Sequence, residues 1–140
     1  MRIYLAARYS RHPEMRRCRE DLEALGHTVT SRWISGDHHM AEATMCTNGD
    51  EEQARRFAQE DWDDLVEANC VISFTETPRS TNGRGGRHVE FGLAVAEHKQ
   101  NIIVGPRENV FHYLKGVDVY ETWEACLSRL KLYVTTGCHD

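Results

Sequence analysis

The sequence predicts a three-layer α/β fold built on a parallel sheet. Short apolar runs that are typical of buried strands alternate with segments whose apolar residues recur every three or four positions, as on one face of a helix. Such alternation implies right-handed crossovers and a sheet that helices cover on both faces. Five predicted strands suggest the flavodoxin-like, Rossmann-like strand order 2-1-3-4-5.

The first unit is a strand, a helix and a second strand. We predict the first strand at 3–7 and a following helix that starts near Pro13 and stops at Gly26. The second strand is predicted at 28–34. A polar stretch at 35–50 shows no period, so we interpret it as a long loop or lid.

The next predicted helix, at 51–68, carries an acidic residue on its apolar face. Asp50 can cap this helix. At 100° per residue Asp61 falls within the apolar stripe, Asp63 points nearly opposite, and Asp64 sits at the edge of the stripe. The stripe consists of Ala54, Phe57, Ala58, Trp62, Leu65 and Ala68.

The remaining elements continue the alternation to the end of the chain. We predict a third strand at 70–75, a helix at 87–98 and a fourth strand at 101–104. A fifth strand at 117–120 then precedes a helix that begins at Thr122.

Composition limits the classes of protein and partner. The 140 residues and 16.1 kDa suit one domain, 1–140, and a net charge of -5 argues against a general binder of nucleic acid or membrane surfaces. The opening residues turn polar too quickly for a signal peptide, and five scattered cysteines without a Cys-x-x-Cys motif suit reduced thiols. We therefore expect a soluble, cytoplasmic protein whose ligand is a small molecule.

The stretch from Gly83 to Ala96 has the composition of a functional site. A glycine-rich turn follows a strand and leads into a helix that carries Glu90. Unpaired N–H groups at such a helix start face anions, and the helix dipole favours an ionised carboxylate, so we predict a charged, nucleophilic Glu90. The alternative is a glutamate that only complements the dipole.

The predicted strand order places the loop at 7–11 beside the loop at 75–86, at the carboxyl ends of the first and third strands. Asp61 can lie close to Glu90 at this edge of the sheet. Two carboxylates at one sheet edge can divide proton transfer and covalent attack between them. Alternatively, Asp61 caps a loop or pairs with an arginine.

Other polar residues fall at the same predicted edge. Tyr4 or Tyr9 can orient Glu90 through a phenolic hydrogen bond, although a strand tyrosine is often simply core. An anion cradle can form from arginines, a serine and glycine N–H groups, unless the arginines are merely solvated. Its candidate members are Arg8, Ser10, Arg11, Arg84, Gly85 and Gly86.

No metal or organic cofactor is expected. His38, His39 and Cys46 form the best local cluster, but their spacing matches no recognised zinc pattern. The glycines match neither a Walker loop nor a dinucleotide fingerprint, and no cysteine sits at an obvious nucleophile elbow.

Three sequence features together resemble one known family. They are Ile3-Tyr4-Leu5-Ala6 at the start, Asp61 seven residues before Ala68, and the run Gly-Arg-His-Val-Glu-Phe-Gly-Leu-Ala at 86–94. The chain resembles the nucleoside 2-deoxyribosyltransferase superfamily, which includes 2'-deoxynucleoside 5'-monophosphate N-glycosidases. The resemblance implies that Glu90 attacks C1' of a deoxyribose, that Asp61 assists the departing base, and that Tyr4 positions Glu90. A second base or water then takes the sugar with retained configuration.

One departure from the family affects the expected substrate. Six residues before the nucleophile the transferases carry an acidic residue and the nucleotide hydrolases a small hydroxyl residue, whereas this chain carries Arg84. We therefore expect a 5'-monophosphate to be the preferred substrate. The resemblance also implies a homodimer or larger homo-oligomer in which Asn109 helps to complete a site across the contact. The alternatives are a non-catalytic nucleotide-sensing domain and a NAD glycohydrolase.

Overall fold

A computed structural model describes residues 1–36, 51–78 and 85–136, the last four of these by backbone alone. Within this part the chain forms a five-stranded parallel sheet in the order β2-β1-β3-β4-β5, which confirms the predicted fold class and strand order. The strands are β1 Arg2–Ala6, β2 Thr28–Val29, β3 Cys70–Phe74, β4 Gln100–Val104 and β5 Val117–Tyr120. The helices are α1 His12–Ala24, α2 Glu51–Glu67, α3 Gly86–Ala96 and α4 Trp123–Thr136.

The two central strands show which helices cover which face. Tyr4 in β1 is aligned with Val71 in β3, three positions before Phe74, so Tyr4 and Phe74 point to opposite faces of the sheet. The Tyr4 hydroxyl meets α3, whereas the Phe74 ring lies 5.7 Å from the ring of Trp123 in α4. Both strands are buried on both sides, as parallel sheets between two helical layers usually are.

The second strand is much shorter than the predicted 28–34, because side chains take over the hydrogen bonds that its backbone would make to β1. Only its first two residues pair as a strand, and Arg32–Ser35 form a 3-10 helix instead. The Ser31 hydroxyl accepts a hydrogen bond from the Leu5 N–H at 3.0 Å, and the Trp33 indole donates to the Leu5 carbonyl at 2.8 Å. These bonds satisfy the edge of β1, so a longer partner strand is not needed.

Helix α2 begins where predicted, but its apolar stripe is wrong at two positions. Trp62 is 42% exposed and Ala58 is also exposed, while Leu65 is buried as expected. The neighbouring Asp64 is buried and accepts two bonds from Arg32, one from the side-chain Nε and one from the backbone N–H, each at 2.9 Å. The buried aspartate that pairs with an arginine on this helix is therefore Asp64, at the predicted edge of the stripe.

Helix α3 starts from a glycine in a left-handed conformation. Gly85 has φ 85°, which a residue with a Cβ adopts only at a cost, and it caps the helix that begins at Gly86. Counted from Gly86, Glu90 is the fifth helical residue, so it lies in the second turn. This placement turns Glu90 towards β1 and takes it beyond the first helical turn.

Within residues 1–36, 51–78 and 85–136, no helix has the length and apolar character needed to cross a membrane. The predicted loop or lid lies almost wholly outside the described residues, which resume at Glu51.

Candidate active site

The candidate site is centred on a contact between β1 and α3. Tyr4 is fully buried in β1, and its hydroxyl donates a hydrogen bond to Oε2 of Glu90. The two residues are separated by 86 positions in sequence, so the contact depends on the parallel alignment of β1 beside β3 and on α3 crossing above them. The bond fixes one carboxyl oxygen of Glu90 and leaves the other available for chemistry.

Glu90 holds its proton more tightly than an ordinary glutamate. The pKa of its carboxyl is raised to about 8, mainly by burial; the Tyr4 hydrogen bond partly opposes this rise, and the negative charge of Asp61 adds to it. The expectation that the helix dipole keeps Glu90 ionised is therefore wrong. Burial is the main reason, and the dipole does not offset it because its effect fades within the first turn and Glu90 lies in the second.

Asp61 brings a third element, α2, to the same place. It is half-buried, and its charge raises the pKa of both Tyr4 and Glu90, although burial is the larger cause for each. For Tyr4 the carboxylate of Glu90 adds to the effect and takes the pKa well above its usual value. The structure thus gathers the three residues predicted to be catalytic, one from each of β1, α2 and α3.

The arginines after β1 are engaged by carboxylates. The Arg11 guanidinium donates a bidentate pair of hydrogen bonds to the Glu14 carboxylate, at 2.9 and 2.8 Å, and a further hydrogen bond to Glu76 at 2.7 Å. Arg8 places its Nε 3.6 Å from the other oxygen of Glu76. The guanidinium groups of Arg8 and Arg11, two of those proposed for an anion cradle, are therefore neutralised by acidic neighbours.

Tyr9 and Ser10 follow Arg8 in a short 3-10 helix. The Tyr9 hydroxyl donates to the backbone carbonyl of Gly36, and its ring lies 4.9 Å from the ring of His12. Tyr9 thus anchors the chain immediately before residue 37. Ser10 is exposed at the sheet edge.

The remaining predicted binding residues lie beside α3 and after β4. Gly85 and Gly86 form the start of α3, and Arg84 lies outside the described residues. Asn109 accepts a bond from the Phe111 N–H at 2.9 Å and so caps the 3-10 helix Val110–Tyr113.

Sequence reasoning missed a charged cluster next to Glu90. Arg87 is almost fully buried, and its Nη2 donates to Oε2 of Glu108 at 2.5 Å. The other oxygen of Glu108 accepts from the Glu76 N–H at 3.0 Å, and the Glu108 N–H donates to Nδ1 of the buried His112 at 3.0 Å. One sequence signal was available, since Arg87 precedes Phe91 by four positions on the buried side of α3.

The part of the chain that the structure describes contains no group of three His, Cys, Asp or Glu residues that could hold a metal ion. The predicted cluster of His38, His39 and Cys46 lies outside that part. Burial raises the pKa of the free thiols at Cys18, Cys70 and Cys126 to about 12, so they are inert and protonated.

Known proteins match this chain by structure. No protein-family model and no curated protein sequence matches it. The CMP N-glycosidase BcmB of Clostridium botulinum superimposes with a TM-score of 0.61 at 22% identity, over 95% of this chain and 100% of that chain. A 2-deoxyribosyltransferase from Bacillus psychrosaccharolyticus superimposes with a TM-score of 0.69 at 17% identity, over 91% and 90% of the two chains. The chain thus has the fold of a CMP N-glycosidase and of a 2-deoxyribosyltransferase, the fold that the resemblance in its sequence implied.

Proposed function

We propose that this protein is an enzyme that breaks the N-glycosidic bond of 2'-deoxyribonucleosides or, preferably, of their 5'-monophosphates. The observation that carries the proposal is the buried Tyr4 hydroxyl bonded to Glu90, with the charge of Asp61 acting on both. A nucleophile held by a phenol beside a second acid suits glycosyl transfer through a covalent intermediate. The fold shared with an N-glycosidase and a deoxyribosyltransferase supports the same reaction class.

The first chemical step forms a bond between a carboxylate oxygen of Glu90 and C1' while the bond from C1' to the base nitrogen breaks. The bonding electrons leave with the base, which takes up a proton. Glu90 must lose its own proton first, and with a pKa of about 8 only about one tenth of it is ionised at pH 7. We assign Asp61 to accept that proton and deliver it to the departing base.

The second step releases the sugar. Water or a second base attacks C1' from the face that the first base left, the bond from C1' to Glu90 breaks, and the carboxylate is restored. Asp61, which lost its proton to the first base, takes up the proton that the attacking water or base releases. Two displacements at one carbon retain the configuration. Tyr4 bonds one oxygen of Glu90 throughout and so keeps the attacking oxygen aimed at C1'.

The preference for a 5'-phosphate rests on the sheet edge beside Glu90. Arg11 is held by Glu14 and Glu76, and Arg8 lies 3.6 Å from Glu76. We therefore assign the phosphate to Arg84, the N–H groups at the start of α3 and the exposed Ser10. Each charge-assisted hydrogen bond contributes on the order of 1.5–3 kcal/mol. We expect at least about a tenfold higher kcat/KM for the monophosphate, or roughly 1.4 kcal/mol.

A substrate panel tests the proposal. The protein is incubated with deoxynucleosides and their 5'-monophosphates, with and without a free acceptor base, and the products are separated by chromatography. We expect free base from the monophosphates, and a new nucleotide with acceptor if the enzyme is a transferase. Arg84→Ala should erase most of the preference, and equal kcat/KM for the two substrate forms in the wild type would overturn the phosphate assignment.

The same panel separates two other classes of protein. Binding of a monophosphate without turnover would identify a nucleotide-sensing domain. Release of nicotinamide from NAD, with the deoxynucleotides untouched, would identify a NAD glycohydrolase.

We further propose that the protein forms a homodimer through the segment after β4. Val110, Phe111 and Tyr113 are 76%, 63% and 70% exposed, and Val89 on α3 is 63% exposed. Apolar side chains exposed to this degree favour a protein partner, and a second copy would place Asn109 at the contact. Light scattering should report about twice the 16.1 kDa of one chain, and a fully active 16.1 kDa particle would contradict the dimer.

A further inference from the structure

The helix that carries Glu90 is held on two successive turns by one short segment of the chain. Arg87 in the first turn bonds to Glu108, and the ring of Phe91, four residues later, meets the ring of His112 edge-on at 4.8 Å. Glu90 lies between these two contacts in the sequence of α3. Residues 108–112 therefore clamp α3 on either side of the proposed nucleophile.

Glu108 also connects this clamp to the loops after β1 and β3. Its Oε1 accepts from the Glu76 N–H, and the carboxylate of Glu76 bonds to Arg11 at 2.7 Å. Arg11 is bonded in turn to Glu14 in α1. A continuous path of bonds thus runs along the carboxyl edge of the sheet, from the start of α1 to the first turn of α3.

The Arg87–Glu108 ion pair at the end of this path is largely shielded from solvent. The side chains of Arg87 and Glu108 are 8% and 10% exposed, and His88 approaches the same carboxyl oxygen at 3.6 Å. Within the described residues, Nε of Arg87 is buried and has no hydrogen-bond partner, so the guanidinium depends on Glu108. A buried ion pair of this kind is weak evidence for net stability, but it tolerates only a narrow range of geometries.

We propose that Arg87 and Glu108 are positioning residues that hold the carboxyl of Glu90 against the hydroxyl of Tyr4. Residues three apart on a helix are neighbours on its surface, so a shift of Arg87 moves Glu90 with it. We assign the pair no contact with the sugar or base; it acts through the placement of α3. This inference rests on the proposed function, in which Glu90 attacks C1'.

The test uses three variants and one matched control. Glu108→Gln keeps the acceptor for the Glu76 N–H but removes the charge, Arg87→Met removes the guanidinium, and the double variant removes both. Lys99→Met is the control, because Lys99 bonds the carbonyl oxygens of Val66 and Ala68 at the opposite edge of the sheet. Each protein is measured for Tm, kcat and KM on a deoxynucleoside monophosphate.

We expect each single variant to lose at least about tenfold in kcat with less than a threefold change in KM, since a misplaced nucleophile slows chemistry more than binding. The double variant should lose little more than the worse single variant, because both work through one pair. Lys99→Met should lower Tm and leave kcat unchanged. Losses that multiply in the double variant, or an unchanged kcat in both single variants, would overturn the inference.

A second measurement does not depend on turnover. The pKa of Glu90 is followed by carbon NMR of protein labelled at glutamate carboxyls, with Glu90→Gln used to assign the signal. If the pair sets the contact with Tyr4, Arg87→Met moves this pKa by at least half a unit, and Lys99→Met leaves it in place. An unmoved pKa in Arg87→Met would count against the inference, whereas a wild type that is inactive on the whole panel would remove the proposed function alone.

Discussion

Two glutamates, Glu90 in α3 and Glu108 packed against that helix, have pKa values shifted in opposite directions. Burial raises the pKa of Glu90 to about 8, and the neighbouring charge of Asp61 adds to the shift. Burial acts in the same direction on Glu108, but Arg87, the Glu76 N–H and His88 outweigh it, so the pKa of Glu108 falls below its usual value. Burial raises the pKa of both carboxyls, and the cationic partners present only at Glu108 reverse the direction there.

This difference in pKa distinguishes Glu108, whose carboxyl belongs to a structural ion pair, from Glu90, whose carboxyl is available for chemistry. The arginines on this edge that the structure describes are bonded to acids away from Glu90: Arg11 to Glu14 and Glu76, and Arg87 to Glu108. Glu90 is left with a phenol and a second acid. A buried carboxyl without a cation is costly to ionise, and groups perturbed in this way concentrate at functional sites.

The largest expected effect separates the two glutamates by activity. Glu90→Gln should lower kcat on a deoxynucleoside monophosphate by about a thousandfold or more, because an amide cannot form the covalent ester with C1'. Glu108→Gln should lose about tenfold or somewhat more, well short of the loss in Glu90→Gln, since it acts on position. Glu67→Gln, whose partner Arg2 lies at the other end of the sheet, is the control that should keep wild-type rates.

Covalent trapping identifies the attacking residue directly. The intact mass of protein mixed with a slowly reacting 2-fluoro substrate should rise by one sugar phosphate, and peptide mapping should place the addition on Glu90. An adduct elsewhere, or near-normal turnover in Glu90→Gln, would remove Glu90 from the mechanism.

Asp61 should show a smaller effect that depends on the leaving group. Asp61→Asn is expected to slow substrates with poor leaving bases by about a hundredfold and activated ones by less than about tenfold, because only the former need a proton on departure. Rates for a series of bases with different pKa values test this. An equal loss across the series would mean that Asp61 acts only through its charge on Glu90 and Tyr4.

The fold was largely predictable from the sequence because its signals are local. Apolar runs and helical spacing gave the order of the elements, and that order implied the edge at which Tyr4 and Glu90 meet. The second strand was predicted too long because the bonds from Ser31 and Trp33 to Leu5 bridge residues far apart in sequence. No local pattern reports such bonds.

The electrostatics of the site were less predictable, for a similar reason. The ionised state expected for Glu90 followed from a local rule on helix termini, which fails because Gly85 starts the helix early enough to put Glu90 in the second turn. The pairs of Arg11 with Glu76 and of Arg87 with Glu108 join separate loops. Sequence spacing placed the residues at one edge but did not reveal which charges neutralise each other.

The smallest expected effects are on the free energy of unfolding. The contribution of Glu90 should decrease as pH rises, and that of Glu108 should decrease as pH falls. Glu90 has a raised pKa in the folded protein, so its contribution to stability is full below its unfolded pKa near 4.5 and is lost as pH rises through about 8. Above that pH the wild type carries a buried anion that Glu90→Gln lacks. The variant should therefore be clearly more stable than the wild type at pH 9 and differ little from it at pH 5.

Glu108 has a lowered pKa, so its contribution is present above its unfolded pKa and is lost as pH falls through the folded value. Glu108→Gln should accordingly be less stable than the wild type by about 1–2 kcal/mol at pH 7, with the difference shrinking towards pH 3. Urea unfolding of the three proteins at pH 3, 5, 7 and 9 measures both trends. If the two variants differ from the wild type with the same sign at pH 9, the carboxyls do not differ in the way that their partners require, and the assignment of Glu90 as the unneutralised acid is wrong.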